Sequence, residues 1–240
     1  MPTGIILTDC KIIVGGYNLS GYHNSISMEF GPEMLDDTRF GTTGTRSFKP
    51  GLKNFSVTGG GFWDYDIDEV LYNKIGAVRE VLSLAHEGNV EGDRAFATRA
   101  VSGTYNPISG EVGALMPFEL NFQNANSSLV RGTVLATGAQ AASGQGTGVE
   151  IGAASATQRI YSALHVTAIA ATSIDVIVES DDAAGFASPT TRLTHTQFTG
   201  AGTVGADWQE LAGPITDTFW RSKWTIVGGP FTFFHVLGIQ

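Results

Sequence analysis

The chain has little charge and almost no cysteine. Asp, Glu, Lys and Arg make up 15% of its 240 residues, against roughly a quarter in ordinary globular domains. Cys10 stands alone, which excludes an intrachain disulfide and a thiolate metal site and suits a reducing compartment. No apolar run approaches the roughly 18 residues of a membrane helix, so no membrane insertion is expected. The opening "MPTGIILTDCKIIVGG" has neither a basic region nor a long apolar core, so no secretory signal is expected. A basic excess is also missing: 14 bases face 23 acids, for a net charge of −9, and the single loose cluster is Arg46, Lys49 and Lys53. Proteins that grip nucleic acid by its phosphates carry a basic stripe, so that class is excluded.

Catalytic signatures are missing as well. There is no G-x-S-x-G, H-E-x-x-H or P-loop, and the one G-x-G-x-x-G spacing, "GAGTVG", does not lie between a strand and a helix. "SGQGTG" and "GAGTVG" lie in a linker and between strands, where flexible loop is the sufficient reading. His23, His86, His165, His195 and His235 show no i, i+4 pair, and a satisfied structural role is expected for His165. His86 is expected at a helix C-terminus, against the helix dipole. Asp36-Asp37 and Asp181-Asp182 are neighbours, and strand neighbours point to opposite faces. "ESDDAAGF" is the better calcium loop but lacks the alternating carboxylates of an EF-hand. No catalytic residue, metal ligand or cofactor is assigned.

What the chain has is glycine, 31 of them, and 42% hydrophobic residues. That mixture predicts many short strands and tight turns rather than disorder. Ile5–Leu7, Ile12–Val14 and "SISMEF" (Ser25–Phe30) read as strands, as does "NFSVTGGGFW", with Phe55 and Val57 on one face and Asn54, Ser56 and Thr58 on the other. Gly59–Gly61 fits a bulge or a close backbone approach. Between these strands, Gly31–Gly51 reads as a long functional or disordered loop or, alternatively, as an extended hairpin turning near Gly41–Gly44, with apolar Met34, Leu35, Phe40 and Phe48 suited to a neighbouring subunit. The apolar spacing of "IDEVLYNKIGAVREVLSL" predicts a helix over Ile67–Leu84, with Asp66 as N-cap and Glu69 completing a capping box.

Strands are expected again at Ala95–Asn106, Gly113–Asn124, Ser127–Gly138, Gln158–Ile169, Ser173–Asp182, Thr191–Thr199, Thr216–Gly229 and Phe231–Ile239. In "TFWRSKWTIV", Trp220, Ser222, Trp224 and Ile226 are the expected core face. The Gly/Ala/Ser-rich segment 139–150 reads as a linker between a first domain, 1–138, and a second, 151–240. The expected class is mainly β: a β-sandwich or barrel flanked by one α-helix, followed by an antiparallel β-sandwich domain.

"FKPGLKNFSVTGGGFWD", preceded by "MLDDTRFGTTGTRS" and followed by "IDEVLYNKIGAVREVLSL", resembles the tail tube (major tail) protein of long-tailed bacteriophages over residues 1–138. The C-terminal part is similar to β-sandwich domains appended to phage structural proteins. The resemblance implies a virion structural protein of the phage tail, assembled in the host cytoplasm, whose six-subunit rings stack into a tube. Its implied partners are copies of itself, the tape measure protein, the tail terminator and distal tail or baseplate proteins. Double-stranded DNA passes through without specific binding, which an acidic bore favours. On this reading Met34, Leu35, Asp36, Asp37, Arg39, Phe40, Arg46, Phe48 and Lys49 make the inter-ring contact. Glu29 and Glu119 are lumen acids, and Phe55, Val57, Gly59, Gly60, Gly61, Phe62 and Trp63 form a subunit-interface strand, its glycines admitting neighbouring backbones. The C-terminal domain lies on the tube exterior. The rivals are a distal-tail or baseplate ring, an injection-machine tube, and a carbohydrate-binding module using Phe62, Trp63, Tyr65, Trp208, Phe219, Trp220 and Trp224.

Overall fold

The computed structural model describes residues 7–41 and 44–240; Ile5 and Ile6 of the first expected strand lie outside them. The described chain is mainly β, with one α-helix. Its strands are β1 (Lys11–Val14), β2 (Tyr17–Asn18), β3 (His23–Asp36), β4 (Phe48–Phe62), β5 (Glu80–Ala85), β6 (Arg94–Asn106), β7 (Pro117–Asn124), β8 (Val130–Gln140), β9 (Gly144–Gln145), β10 (Val149–Glu150), β11 (Arg159–Ile169), β12 (Ser173–Asp181), β13 (Thr190–Thr194), β14 (Phe198–Thr199), β15 (Gly205–Ala212), β16 (Phe219–Val227) and β17 (Phe231–Ile239), and α1 is Tyr65–Lys74.

The chain divides into two compact units, and not at the expected linker. Unit 1 takes the chain up to Gly21, Glu80–Arg99 and Ser128–Gln240; unit 2 takes Tyr22–Arg79 and Ala100–Ser127. The segment 139–150 is not a free linker. Gln140 ends β8 opposite Phe231, Gly144 pairs with Trp224 and Val149 with Trp220. Small side chains there satisfy close packing rather than flexibility: a Cβ on Gly144 would touch the Trp224 ring at 3.3 Å.

Unit 1 contains two antiparallel sheets. One follows the order β15-β11-β17-β8-β6-β5-β1-β2, the other β10-β16-β12-β13 with β14 and β9 at its margins. Leu164, Val166, Ile174, Val176, Trp224 and Phe233 join the sheets in one cluster, and Leu135, Ile160, Val178, Trp220 and Leu237 join them in another. Trp220, Ser222 and Trp224 are buried as expected, with Ile226 packed against them. The first sheet also curls on itself: Ile13, Val81, Ala95, Val134, Ala163, Phe234 and Val236 share a third cluster. Strands β11 and β17 are therefore buried on both faces, which explains their largely apolar sequences.

The expected helix over Ile67–Leu84 is half right. Helix α1 stops at Lys74, Gly76 adopts φ +74°, and Glu80–Ala85 is a strand paired with β1. Val81, Leu82 and Leu84 satisfy a helical spacing as well as a strand buried on both faces, so periodicity alone could not separate them. The N-cap is Asp64, whose carboxylate accepts the Asp66 N–H at 3.0 Å, rather than Asp66. His86 consequently follows a strand, near Glu87 at 3.9 Å, and has no helix end to cap.

Candidate assembly face

Unit 2 is a four-stranded antiparallel sheet in the order β3-β4-β7-β6, with Ala100–Asn106 as the β6 contribution. Residues opposite one another across antiparallel strands share a face, so the register sorts this sheet into two surfaces. On one, Met28, Val57, Phe122 and Ser102 stand in a row, and Ile26, Gly59, Leu120 and Tyr105 in the next. Helix α1 is tied to this side. Asp68 accepts the Tyr105 hydroxyl at 2.7 Å and the Trp63 indole N–H at 3.1 Å, and Ile67 and Leu71 are buried. Burial, with the Asp68 carboxylate beside it, raises the Tyr105 phenol above its ordinary range.

The opposite surface is polar and open. Its rows are Glu29, Ser56, Gln123 and Val101; then Ser27, Thr58, Asn121 and Thr104; then Ser25, Gly60, Glu119 and Asn106. These rows hold two carboxylates and no lysine or arginine. Residues from all four strands line a groove along it. Glu29 and Glu119, chosen from sequence as lumen acids, stand exposed on this one face. Among the described residues β3 pairs only with β4, which leaves one margin of the sheet open; at the other margin Ala100–Asn106 of β6 pair with β7, and the Gly76 N–H donates to the Ser102 carbonyl at 3.0 Å.

The glycines of β4 admit close approaches within the chain itself. A Cβ on Gly61 would overlap the Tyr22 carbonyl oxygen, and one on Gly59 would lie 3.0 Å from the His23 ring. The strand irregularity expected there falls on the partner strand, between His23 and Ser25. Phe55 and Val57 are each 1% exposed, in the unit's own core, so neither is free to meet a neighbour. Trp63 contacts Asp68 and Tyr65. Phe62 alone of the expected interface side chains is exposed.

The long hairpin is present as the β3–β4 pair, running from His23 opposite Gly61 to Asp36 opposite Phe48. Near its tip, Asp37 receives Lys49 at 2.6 Å and Arg39 at 3.4 Å. Asp36 accepts the Thr38 N–H at 2.9 Å, and the Thr38 hydroxyl and N–H together hold its carboxyl below the usual range. The Ser47 N–H closes the loop onto the Thr38 hydroxyl at 3.0 Å. Arg46 is exposed beside it. Phe30, Met34, Leu35, Phe40, Phe48 and Leu52 are exposed along this end. At the far end of β4, Phe62, Tyr65, Ile108, Leu115 and Met116 are exposed too, with the Trp63 N–H donating to the Met116 carbonyl at 2.8 Å.

The other sequence candidates fall in unit 1. Trp220 and Trp224 are core residues and cannot present a sugar-stacking surface. The Trp208 indole donates to Glu210 at 2.8 Å, and the Arg99 guanidinium covers its ring at 5.7 Å. Asp181 does not point into a cation loop: its oxygens accept the Ala183 and Ser188 N–H groups at 3.1 and 2.9 Å, which holds the carboxyl low. His165 is fully buried between the Ser83 hydroxyl, 2.8 Å from Nε2, and the Gly16 N–H, 3.4 Å from Nδ1, a satisfied structural histidine as expected. Sequence reasoning missed a second buried cluster, in which Ser162 lies 2.8 Å from His195 and 2.7 Å from His235. Its one visible signal is a polar residue on a buried face of each apolar strand, Ser162 in β11 and His235 in β17.

No family model and no curated protein matches the chain. Several solved structures are similar in fold. A chain of the native gene transfer agent virion is 16% identical, with a TM-score of 0.40, covering 50% of this chain and 95% of its own. A chain of an extracellular contractile injection system sheath–tube complex is 13% identical, with a TM-score of 0.38, covering 52% and 90%. The Dit protein of phage SPP1, described as a hub of the adsorption apparatus in phages infecting Gram-positive hosts, is 11% identical, with a TM-score of 0.36, covering 97% and 100%.

Proposed function

We propose that the chain is a structural subunit of a phage tail-type apparatus, a tube protein whose copies complete one another's sheets in stacked rings. The observation that carries this is the unit 2 sheet: an open margin at β3, a β6 margin on its other side, and a polar face whose rows hold no base. A strand of 14 residues with one free edge is an aggregation hazard unless something covers it. A head-to-tail contact that closes by rotation covers both margins at once and turns the open sheet into part of a ring wall. The polar face with Glu29 and Glu119 then lines the bore. An acidic, hydroxyl- and amide-rich wall offers DNA phosphates nothing to release counterions against, so a duplex stays mobile.

Stacking follows from the two apolar ends. The strand β4 has 15 residues, about 50 Å at the usual rise, with exposed apolar groups near each end. A body with different sticky ends on one long axis stacks axially, and the hairpin end supplies the inter-ring contact. Because β17 pairs with β8, residues 151–240 do not form a separate body in this reading. Tape measure, terminator and distal tail proteins are the remaining partners of such a tube in the virion.

Negative-stain imaging of the purified full-length chain tests the proposal. Long hollow filaments of uniform width are expected. A monodisperse monomer at high concentration contradicts it, and closed rings that never stack would replace the tube by the distal-tail hub reading.

A further inference from the structure

We propose that Ser222, His235, Ser162, His195 and Asp207 form a one-way chain of hydrogen bonds that clasps the two sheets of unit 1 and opens when it takes up a proton. Ser222 lies on β16 in one sheet; His235, Ser162 and Asp207 lie on β17, β11 and β15 in the other. His195 follows β13, and its N–H donates to the Val176 carbonyl of β12 at 2.9 Å. Ser162, Ser222 and His235 are 0% exposed and His195 3%, so no solvent replaces a lost partner.

The direction is forced from one end. Asp207 Oδ2 lies 2.8 Å from His195 Nδ1 and also accepts the Thr196 N–H and the Gln209 side-chain amide at 3.0 and 2.9 Å. A carboxylate only accepts, so His195 carries its proton on Nδ1 and presents a lone pair at Nε2. The Ser162 hydroxyl, 2.8 Å away, donates to that lone pair. Ser162 Oγ is then free to accept, and His235 Nε2, at 2.7 Å, is its donor. The 3.2 Å approach of His235 Nε2 to His195 Nε2 agrees, since one nitrogen bears hydrogen and the other does not. His235 Nδ1 is left as an acceptor, and the Ser222 hydroxyl donates to it. Every donor has one acceptor, with both rings neutral.

One added proton breaks this order. Placed on His195 Nε2, it sets two N–H groups against Ser162 and leaves the Ser162 hydroxyl hydrogen with no acceptor. Placed on His235 Nδ1, it faces the Ser222 hydroxyl hydrogen, which must turn away inside a closed core. Unsatisfied buried donors are strongly disfavoured. The titratable groups facing the chain are Asp207 at its open end and His165 within range of both rings. Burial holds His235 well below the ordinary imidazole range; His195 and His165 push the same way and Asp207 opposes them. Burial also brings His165 down to about 3. Both folded values lie below the unfolded one, so the stability they confer is full above about pH 6.5 and is lost as the pH falls below it. Each such histidine shifts the unfolding equilibrium about fivefold over the first pH unit below 6.5 and approaches about tenfold per unit further down. Asp207, held low despite partial burial by His195, Gln209 and Thr196, keeps its contribution until below about pH 4.

Long-range ¹⁵N–¹H correlation of the full chain at pH 7.5 reads the tautomers directly. His195 protonated on Nδ1 and His235 on Nε2 is the expected pair; any other pair, or a doubly protonated ring, overturns the proposal. Urea unfolding at pH 6.5 and 5.5, followed by the Trp220 and Trp224 indole signals, then compares the chain with His235→Phe. The variant should lose about fivefold of the pH dependence between these two values. An unchanged dependence overturns the acid opening, and should the variant not fold, the tautomer measurement decides alone.

Discussion

A methyl group has no place at Gly61, where the Tyr22 carbonyl occupies the space a Cβ would take. Gly61→Ala should therefore destabilise unit 2 by about 1–3 kcal/mol, the usual cost of overpacking, measured as a shift in urea midpoint. Asp68 poses the opposite problem. It is the shared acceptor of Trp63 and Tyr105, and Asp68→Ala leaves both donors in a half-buried site. A loss of about 1–3 kcal/mol is expected, with the Trp63 fluorescence changing alongside; an unchanged midpoint would show that water replaces the carboxylate. Residue-level reading from sequence worked where burial follows from alternation, as at Trp220 and Trp224 in β16. It failed for Phe55 and Val57, because an amphipathic strand does not say whether its apolar side meets the chain's own core or another copy. The Ser162–His195–His235 cluster was out of reach, since only sheet register brings those positions together.

At the scale of elements, the hairpin of β3 and β4 is the part whose role can be separated from folding. Its apolar residues are exposed, Met34 at 58% and Leu52 at 84%, so replacing them removes little buried area. Met34→Ser with Leu52→Ser should leave the melting temperature within about 2 °C, because exposed substitutions stay near ±0.5 kcal/mol. The same pair of changes should abolish or shorten filaments in the microscope. Filaments of normal length would remove the hairpin from the stacking contact. The hairpin stood in the sequence beside a long-loop reading, because Gly and Thr mark a turn near Gly41–Gly44, of which Thr42 and Thr43 lie outside the described residues, while Met34, Leu35, Phe40 and Phe48 show no alternation. Strand β15 was not legible, for "GADWQELA" is half-buried at nearly every position and offers no alternation to read. Strand β5 was misread as helix for the complementary reason: a strand buried on both faces has no polar side to betray its period.

At the scale of the molecule, the charge pattern makes a prediction that the fold alone does not. With Glu29 and Glu119 on the face assigned to the bore, Glu29→Lys with Glu119→Lys should still assemble, because both positions are exposed. The resulting tubes should retain double-stranded DNA in a salt-dependent manner, as phosphate neutralisation requires, whereas unaltered tubes release it. Equal retention by both would mean that this face does not line the channel. The mainly β class was legible in glycine content and short apolar runs. The division into units was not, because a chain that leaves a sheet and returns to it carries no compositional mark at the crossings. The small-residue segment 139–150 looked like a boundary and is instead paired into unit 1.

A cryo-EM map of the assembled protein is the most direct test of sister copies completing the unit 2 sheet. The account predicts an inner wall of continuous β-structure, with His23–Asp36 of one subunit lying against Ala100–Asn106 of the next and Glu29 and Glu119 pointing into the bore. A wall in which those two margins stay apart, or a bore lined by lysine and arginine, would contradict it.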